Sequence, residues 1–186
     1  MTYDAGEPGY RGNLNKETKT LAEVLKTADY QTGMVGKWHV TPHTKPDADS
    51  SNWPRQRGFD YFYGTLPGHG SLWDPAGLYQ DNTPVEMSDG FFYTDAIADA
   101  AIKFVNNATT KEDPFFLYAA FTAPHYPLHA RPKTIEKYDG VYDRGWDAIR
   151  KQRFTRLKKL GLLPNHSKLP PRDEGSIPWE DETEKR

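Results

Sequence analysis

Three short stretches carry the side chains best suited to chemistry. Lys37 and His39 stand two residues apart, where the apolar run GMVGKWHV (Gly33 to Val40) ends. His125 stands in TAPHYPLHA, bracketed by Pro124 and Pro127, and His69 stands between two glycines in GHG. A lysine supplies a fixed positive charge. A histidine titrates near neutral pH and can hold or move a proton. In an extended backbone, residues i and i+2 share a face. Lys37 and His39 are therefore expected on one side, with Trp38 on the other. Gly36 lacks a Cβ, which suits close approach by a ligand or another backbone. A basic pair on one face at a strand end suits an anionic group. His69 is expected to line the same pocket. His43, His129 and His166 read as loop residues without an assigned role.

The elements that position these groups follow from pattern. In TLAEVLKTADY, Thr20 and Glu23 have capping-box spacing. Leu21, Val24, Leu25 and Ala28 recur at helical period and predict an amphipathic helix. QTGMVG after it predicts a strand. In SDGFFYTDAIADAAIKFVNN, Ile97, Ala100, Ala101, Phe104 and Val105 form a second helical stripe, with Thr94 or Asp95 as its cap. FFLYAAF (Phe115 to Phe121) is almost continuously apolar and predicts a strand buried on both faces. A third helix is expected near GWDAIRKQRFTRLKKLG. Trp146, Ile149, Arg153, Leu157 and Leu160 line one side, and Gly161 is placed to stop it. Residues 1–16 read as irregular, 41–90 as a long turn-rich loop around a site, and 164–186 as a proline-rich, charged tail. Helices alternating with strands predict an α/β fold. Both strands run into histidine-bearing loops, and such sheets bind ligands off the carboxyl ends of their strands.

The totals narrow the function classes. The chain has 186 residues and 36% hydrophobic content, enough for one ordinary domain that buries roughly 70% of its unfolded surface. Net charge is −2, which gives no electrostatic case for nucleic acid or an anionic membrane. No run approaches the roughly 20 apolar residues of a membrane helix, so neither nucleic acid nor membrane is expected as a partner. Cysteine is absent, which removes disulfide and thiolate chemistry. The aromatic content of 13% suits stacking on sugars or aryl rings, but core packing is the simpler use.

In order, these blocks resemble the sulfatase family of the alkaline-phosphatase-like superfamily. TLAEVLKTADYQTGMVGKWH is similar to the second sulfatase signature. GFDYFYG (Gly58 to Gly64), DPFFLYAAFTAPHYPLHA and YDRGWDAIRKQR (Tyr142 to Arg153) resemble further blocks of the arylsulfatase branch. The resemblance runs from Gly9 across nearly the whole chain. It implies a partial α/β/α sandwich with a mixed, mainly parallel sheet, forming a single partial catalytic domain over 1–186. It implies hydrolysis of a sulfate monoester by a hydrated formylglycine, with a calcium ion at the site. Lys37 would contact sulfate oxygens, and His39 would hydrogen-bond the nucleophile. His125 would contact sulfate and serve as acid for the leaving oxygen. His69 is expected to contribute to substrate binding from its open GHG loop, apart from the resemblance.

Parts of the family's pattern are missing. No serine or cysteine precedes Lys37, so the C/S-x-P-x-R nucleophile motif is absent. SNWPR (Ser51 to Arg55) has the wrong spacing and place. The calcium-binding aspartates are absent too, so no metal ligand is assigned here, and a second sulfate-binding lysine would lie beyond Arg186. The expectation is an internal segment that holds the sulfate-binding half of the site and is inactive alone. Its substrate would be a small sulfate ester or a sulfated glycan, and the complete protein would be periplasmic or secreted. Two alternatives are a phosphodiester or phosphonate hydrolase of the same superfamily and a non-catalytic anion- or glycan-binding remnant.

Overall fold

Thr20 begins the first regular element as its spacing predicts. Its hydroxyl accepts from the Glu23 N–H, and the Glu23 carboxylate accepts from the Thr20 N–H. Helix α1 (Leu21–Lys26) follows and leads into strand β1 (Gln31–Gly36). The structure, a computed structural model, describes residues 6–7 and 12–182. Most of the irregular start expected at 1–16 lies outside the described residues. The chain divides into two compact units, Met1–His129 and Ala130–Arg186.

In the first unit, a mixed five-stranded sheet has the order β4-β3-β2-β1-β5. Its strands are β1, β2 (Tyr61–Thr65), β3 (Leu78–Gln80), β4 (Thr83–Pro84) and β5 (Phe115–Ala120). β1 pairs in parallel with β2 and with β5, while β3 pairs antiparallel with β2 and β4. Strand alternation divides the core between two faces. Met34, Phe62 and Tyr79 join Trp38, Trp53 and Phe59 in one cluster. Val35 and Leu78 join Tyr93, Ile97 and Ala100 in the other. The second cluster carries helix α2 (Tyr93–Ala108), whose Phe104 ring lies against Gly33. A Cβ at position 33 would come within 2.6 Å of that ring, so the glycine seats the helix on the sheet.

Several expectations are corrected. The stretch 41–90 is not one long loop: it holds a 3₁₀ turn (Pro54–Arg57) and strands β2, β3 and β4. Its dense prolines and glycines punctuate short strands. The predicted stripe of α1 is largely exposed. The helix is only six residues long, and it buries Ala22 while Leu21 and Val24 face solvent. Helix α2 starts after Phe92 with no side-chain cap, so neither Thr94 nor Asp95 plays that part. β5 is not buried on both faces: it is the edge strand beyond β1, with Phe115 and Tyr118 exposed.

In the second unit, α3 (Pro132–Ile135) is one turn, and α4 (Gly145–Lys159) fills the predicted third helix. Gly161 follows in the left-handed region at φ 70°, a conformation glycine adopts at little cost. Residues 164–182 carry the proline-rich, charged sequence. They run back along α4, where Arg150 donates to the Pro170 carbonyl, Trp146 donates to that of Ile177, and Arg172 pairs with Asp147. Among the described residues, no helix is long and apolar enough to cross a membrane.

Candidate active site

The site is built where β1 and β5, parallel neighbours, both end. β1 stops at Gly36, whose φ of 98° turns the chain out of the strand. A side chain there would overlap the Ala120 carbonyl at the end of β5, and one at Gly64 would overlap the Gly36 carbonyl. Two glycines thus let three backbones close up beneath the site. The next three amides stitch outward. The Lys37 N–H donates to Ala120 O at 2.8 Å, that of Trp38 to Thr65 O at 2.9 Å, and that of His39 to Leu66 O at 3.1 Å.

The expected alternation shows in burial, Trp38 lying inward between two half-buried neighbours, although Lys37 and His39 lie past the end of β1 and His39 adopts φ 60°. Trp38 does turn inward. It is buried, donates to the Asn52 carbonyl at 2.8 Å and meets Phe59 edge-on. Lys37 and His39 stay half-buried at the surface. The tip of the His39 ring occupies the space that a Cβ on Gly68 would fill.

His125 comes from the turn after β5. Its N–H donates to the Thr122 carbonyl at 2.9 Å. Its Nδ1 lies 2.7 Å from the Tyr126 carbonyl oxygen. A carbonyl oxygen only accepts, so Nδ1 carries the hydrogen and Nε2 is left for a ligand. Pro124 and Pro127 both follow cis peptide bonds. The His69 ring stacks on His125 with centroids 5.3 Å apart. Both rings are exposed.

Lys37, His39, His69 and His125 therefore act on one another. Burial lowers the His39 pKa first, and the positive charge of Lys37, His69 and His125 lowers it further. His39 is thereby held neutral at neutral pH. The cluster brings one amine and three imidazole rings together.

Comparisons with known proteins place the chain in a family. The sulfatase family model matches residues 2–169. The chain belongs to the sulfatase family. It is 35% identical over 195 residues to an uncharacterized sulfatase of Schizosaccharomyces pombe, an alignment covering 96% of this chain and 34% of that protein. It is 34% identical over 181 residues to an arylsulfatase of Klebsiella aerogenes, covering 90% of this chain and 38% of that one. The solved structure of BT4656, in complex with its substrate D-glucosamine-2-N,6-O-disulfate, superposes with a TM-score of 0.52 at 28% identity. It covers 70% of this chain and 24% of that chain. This sulfatase chain spans about a third of the length of those curated relatives.

Family membership implies a divalent metal. Among the described residues, no group of three or more His, Cys, Asp or Glu side chains could hold one. These residues do not fit a calcium site by themselves. Sequence reasoning missed other parts of the site. Gly68 makes room for His39. Tyr93 is almost fully buried, accepts the Thr65 N–H at 2.8 Å and fixes the strand end beneath the cluster. The glycines of PGHG were its visible signal; Tyr93 had none beyond helical period. His129 proves structural, accepting the Leu72 N–H at 3.2 Å.

Proposed function

We propose that these residues form the sulfate-binding half of an arylsulfatase-type site, within a protein that hydrolyses a sulfate ester. The observation that carries this reading is the convergence of Lys37, His39, His69 and His125 at the ends of two parallel strands. Lys37 neutralises sulfate oxygens, and an aimed cation is often the largest catalytic contribution where charge develops. His125, with Nδ1–H held by the Tyr126 carbonyl, carries its exchangeable proton on Nε2 and donates it to the leaving oxygen. His39, uncharged, accepts or returns a proton at the nucleophile. His69 braces His125 and borders the bound anion.

The nucleophile and the calcium ligands are supplied by residues outside this chain, in keeping with its coverage of a third of its relatives. The chain alone binds sulfate weakly and does not turn it over. The substrate class is a small sulfate ester or a sulfated glycan. BT4656 supports the glycan, since its substrate is a sulfated sugar. The complete protein is assigned to the periplasm or the exterior.

The test is kinetic, on an aryl sulfate with the full-length protein. Lys37→Ala lowers kcat/KM on the order of 10²-fold, and an unchanged value removes Lys37 from the site. His125→Ala costs more with poor leaving groups than with activated aryl sulfates, and equal losses would make its role purely electrostatic. A phosphodiester hydrolysed faster than any sulfate ester would shift the reading to the sister chemistry of the superfamily.

A further inference from the structure

One buried hydroxyl beside the site is unexplained by the roles above. Thr122 is 7% exposed, and its Oγ1 has no hydrogen-bond partner among the described residues. Buried hydroxyls are nearly always satisfied, by protein atoms or by ordered water. Thr122 also lines a cavity of about 10 Å³, together with Thr65, His69, Ser71 and Tyr93. That is the lower limit of space for a single water, which also needs two to four polar partners.

The wall supplies them. The Tyr93 hydroxyl accepts from the Thr65 N–H at 2.8 Å and donates to Thr65 Oγ1 at 3.2 Å, and its oxygen can accept once more. Ser71 Oγ accepts the N–H groups of Trp73 and Asp74 at 3.1 Å each, and its own hydrogen remains to be donated. Thr122 adds a donor and an acceptor. The same residue anchors the site through its backbone, since its carbonyl accepts the His125 N–H. His69, on the cavity wall, stacks on the His125 ring. The cavity is therefore bounded by both members of the histidine pair's support, one through a ring and one through a turn.

We propose that an ordered water in this cavity joins the Thr122 hydroxyl to the Tyr93–Thr65 pair and Ser71, and that Thr122 is thereby a positioning residue for His69 and His125. The second half of this rests on the reading of those histidines as sulfate contacts. The bridge would set the depth of the His125 turn and the wall on which His69 leans. Valine at 122 keeps the shape and removes both hydrogen-bonding functions; serine keeps both and removes a methyl group.

The experiment pairs a crystal structure that resolves solvent with kinetics of the full-length protein on an aryl sulfate. The expected result is one solvent peak in the wild type that is lost in Thr122→Val. In that variant kcat/KM falls roughly tenfold, as displaced catalytic groups cost, and the histidine limb of its pH profile shifts. Thr122→Ser restores both the peak and the pH profile. No peak in the wild type overturns the water. A valine variant with wild-type kcat/KM and pH profile, and only a lower melting temperature, overturns the positioning role. If the valine variant does not fold, a serine variant that lacks the peak yet keeps the wild-type pH profile overturns that role equally. Failure of the sulfate reading is distinguishable: His125→Ala would then leave kcat/KM unchanged while the solvent peak remained.

Discussion

The two units of the chain hold their shape by different means. In Met1–His129, large side chains such as Trp53, Phe62, Tyr79 and Tyr93 are almost fully buried against a sheet. In Ala130–Arg186, only Gly145 is buried among the described residues of its helices, and order comes from polar ties and a Trp146–Trp179 edge contact at 4.9 Å. Buried packing fixes positions to fractions of an ångström, because a dense core has few alternatives. Exposed ties are individually weak. The first unit can therefore hold Lys37, His39, His69 and His125 in register, while the second rests on weaker, exposed ties.

The sharpest way to break this contrast is at Gly64. Its missing Cβ leaves room for the Gly36 carbonyl, and Gly64→Ala is expected to cost about 3 kcal/mol by forcing backbones apart. Urea unfolding measures this. A loss below about 1 kcal/mol would mean that the strands shift freely there. A smaller effect is expected at Arg57, which is buried and donates to Glu23 at 3.0 Å, to Asn52 at 2.7 Å and to the Thr18 carbonyl at 2.8 Å. Arg57→Met is expected to cost about 2 kcal/mol, since it strands part-buried acceptors. Burial raises the Glu23 pKa, but the Thr20 N–H and Arg57 outweigh it and hold the carboxyl below its ordinary value. A lowered folded pKa stabilises above the unfolded pKa and is lost as pH falls through the folded one. The gap between wild type and Arg57→Met should therefore narrow in acid, and a gap independent of pH would remove Glu23 from the account. The smallest effect is expected in the second unit. Trp179→Ala should cost about 1 kcal/mol and speed hydrogen exchange in α4 while leaving β1 unchanged. Equal acceleration in β1 would show that the two units open together.

How much of this was legible depended on range. The capping box at Thr20 and Glu23, strand β1 and helix α2 rest on signals within a few residues, and they stood out. β2 was hidden among prolines and glycines, although Tyr61, Phe62 and Tyr63 carry the aromatic preference of strands. The exposure of β5 could not be read from its composition, because an apolar run does not say how many neighbours it has. At the site, residue types pointed to Lys37, His39 and His125, but not to the backbone that brings them together. Left-handed backbone at Gly36 and His39, and the closeness of Gly64 and Gly68, are products of tertiary packing. Thr122 and Tyr93 became visible only once partners, or their lack, could be counted.

The backbone amides of Lys37, Trp38, His39 and His125 are all spent on carbonyls of the fold. None of these four is left to greet an anion. Three of them fasten the segment after β1 to the ends of β2 and β5, and the fourth closes the turn that carries His125.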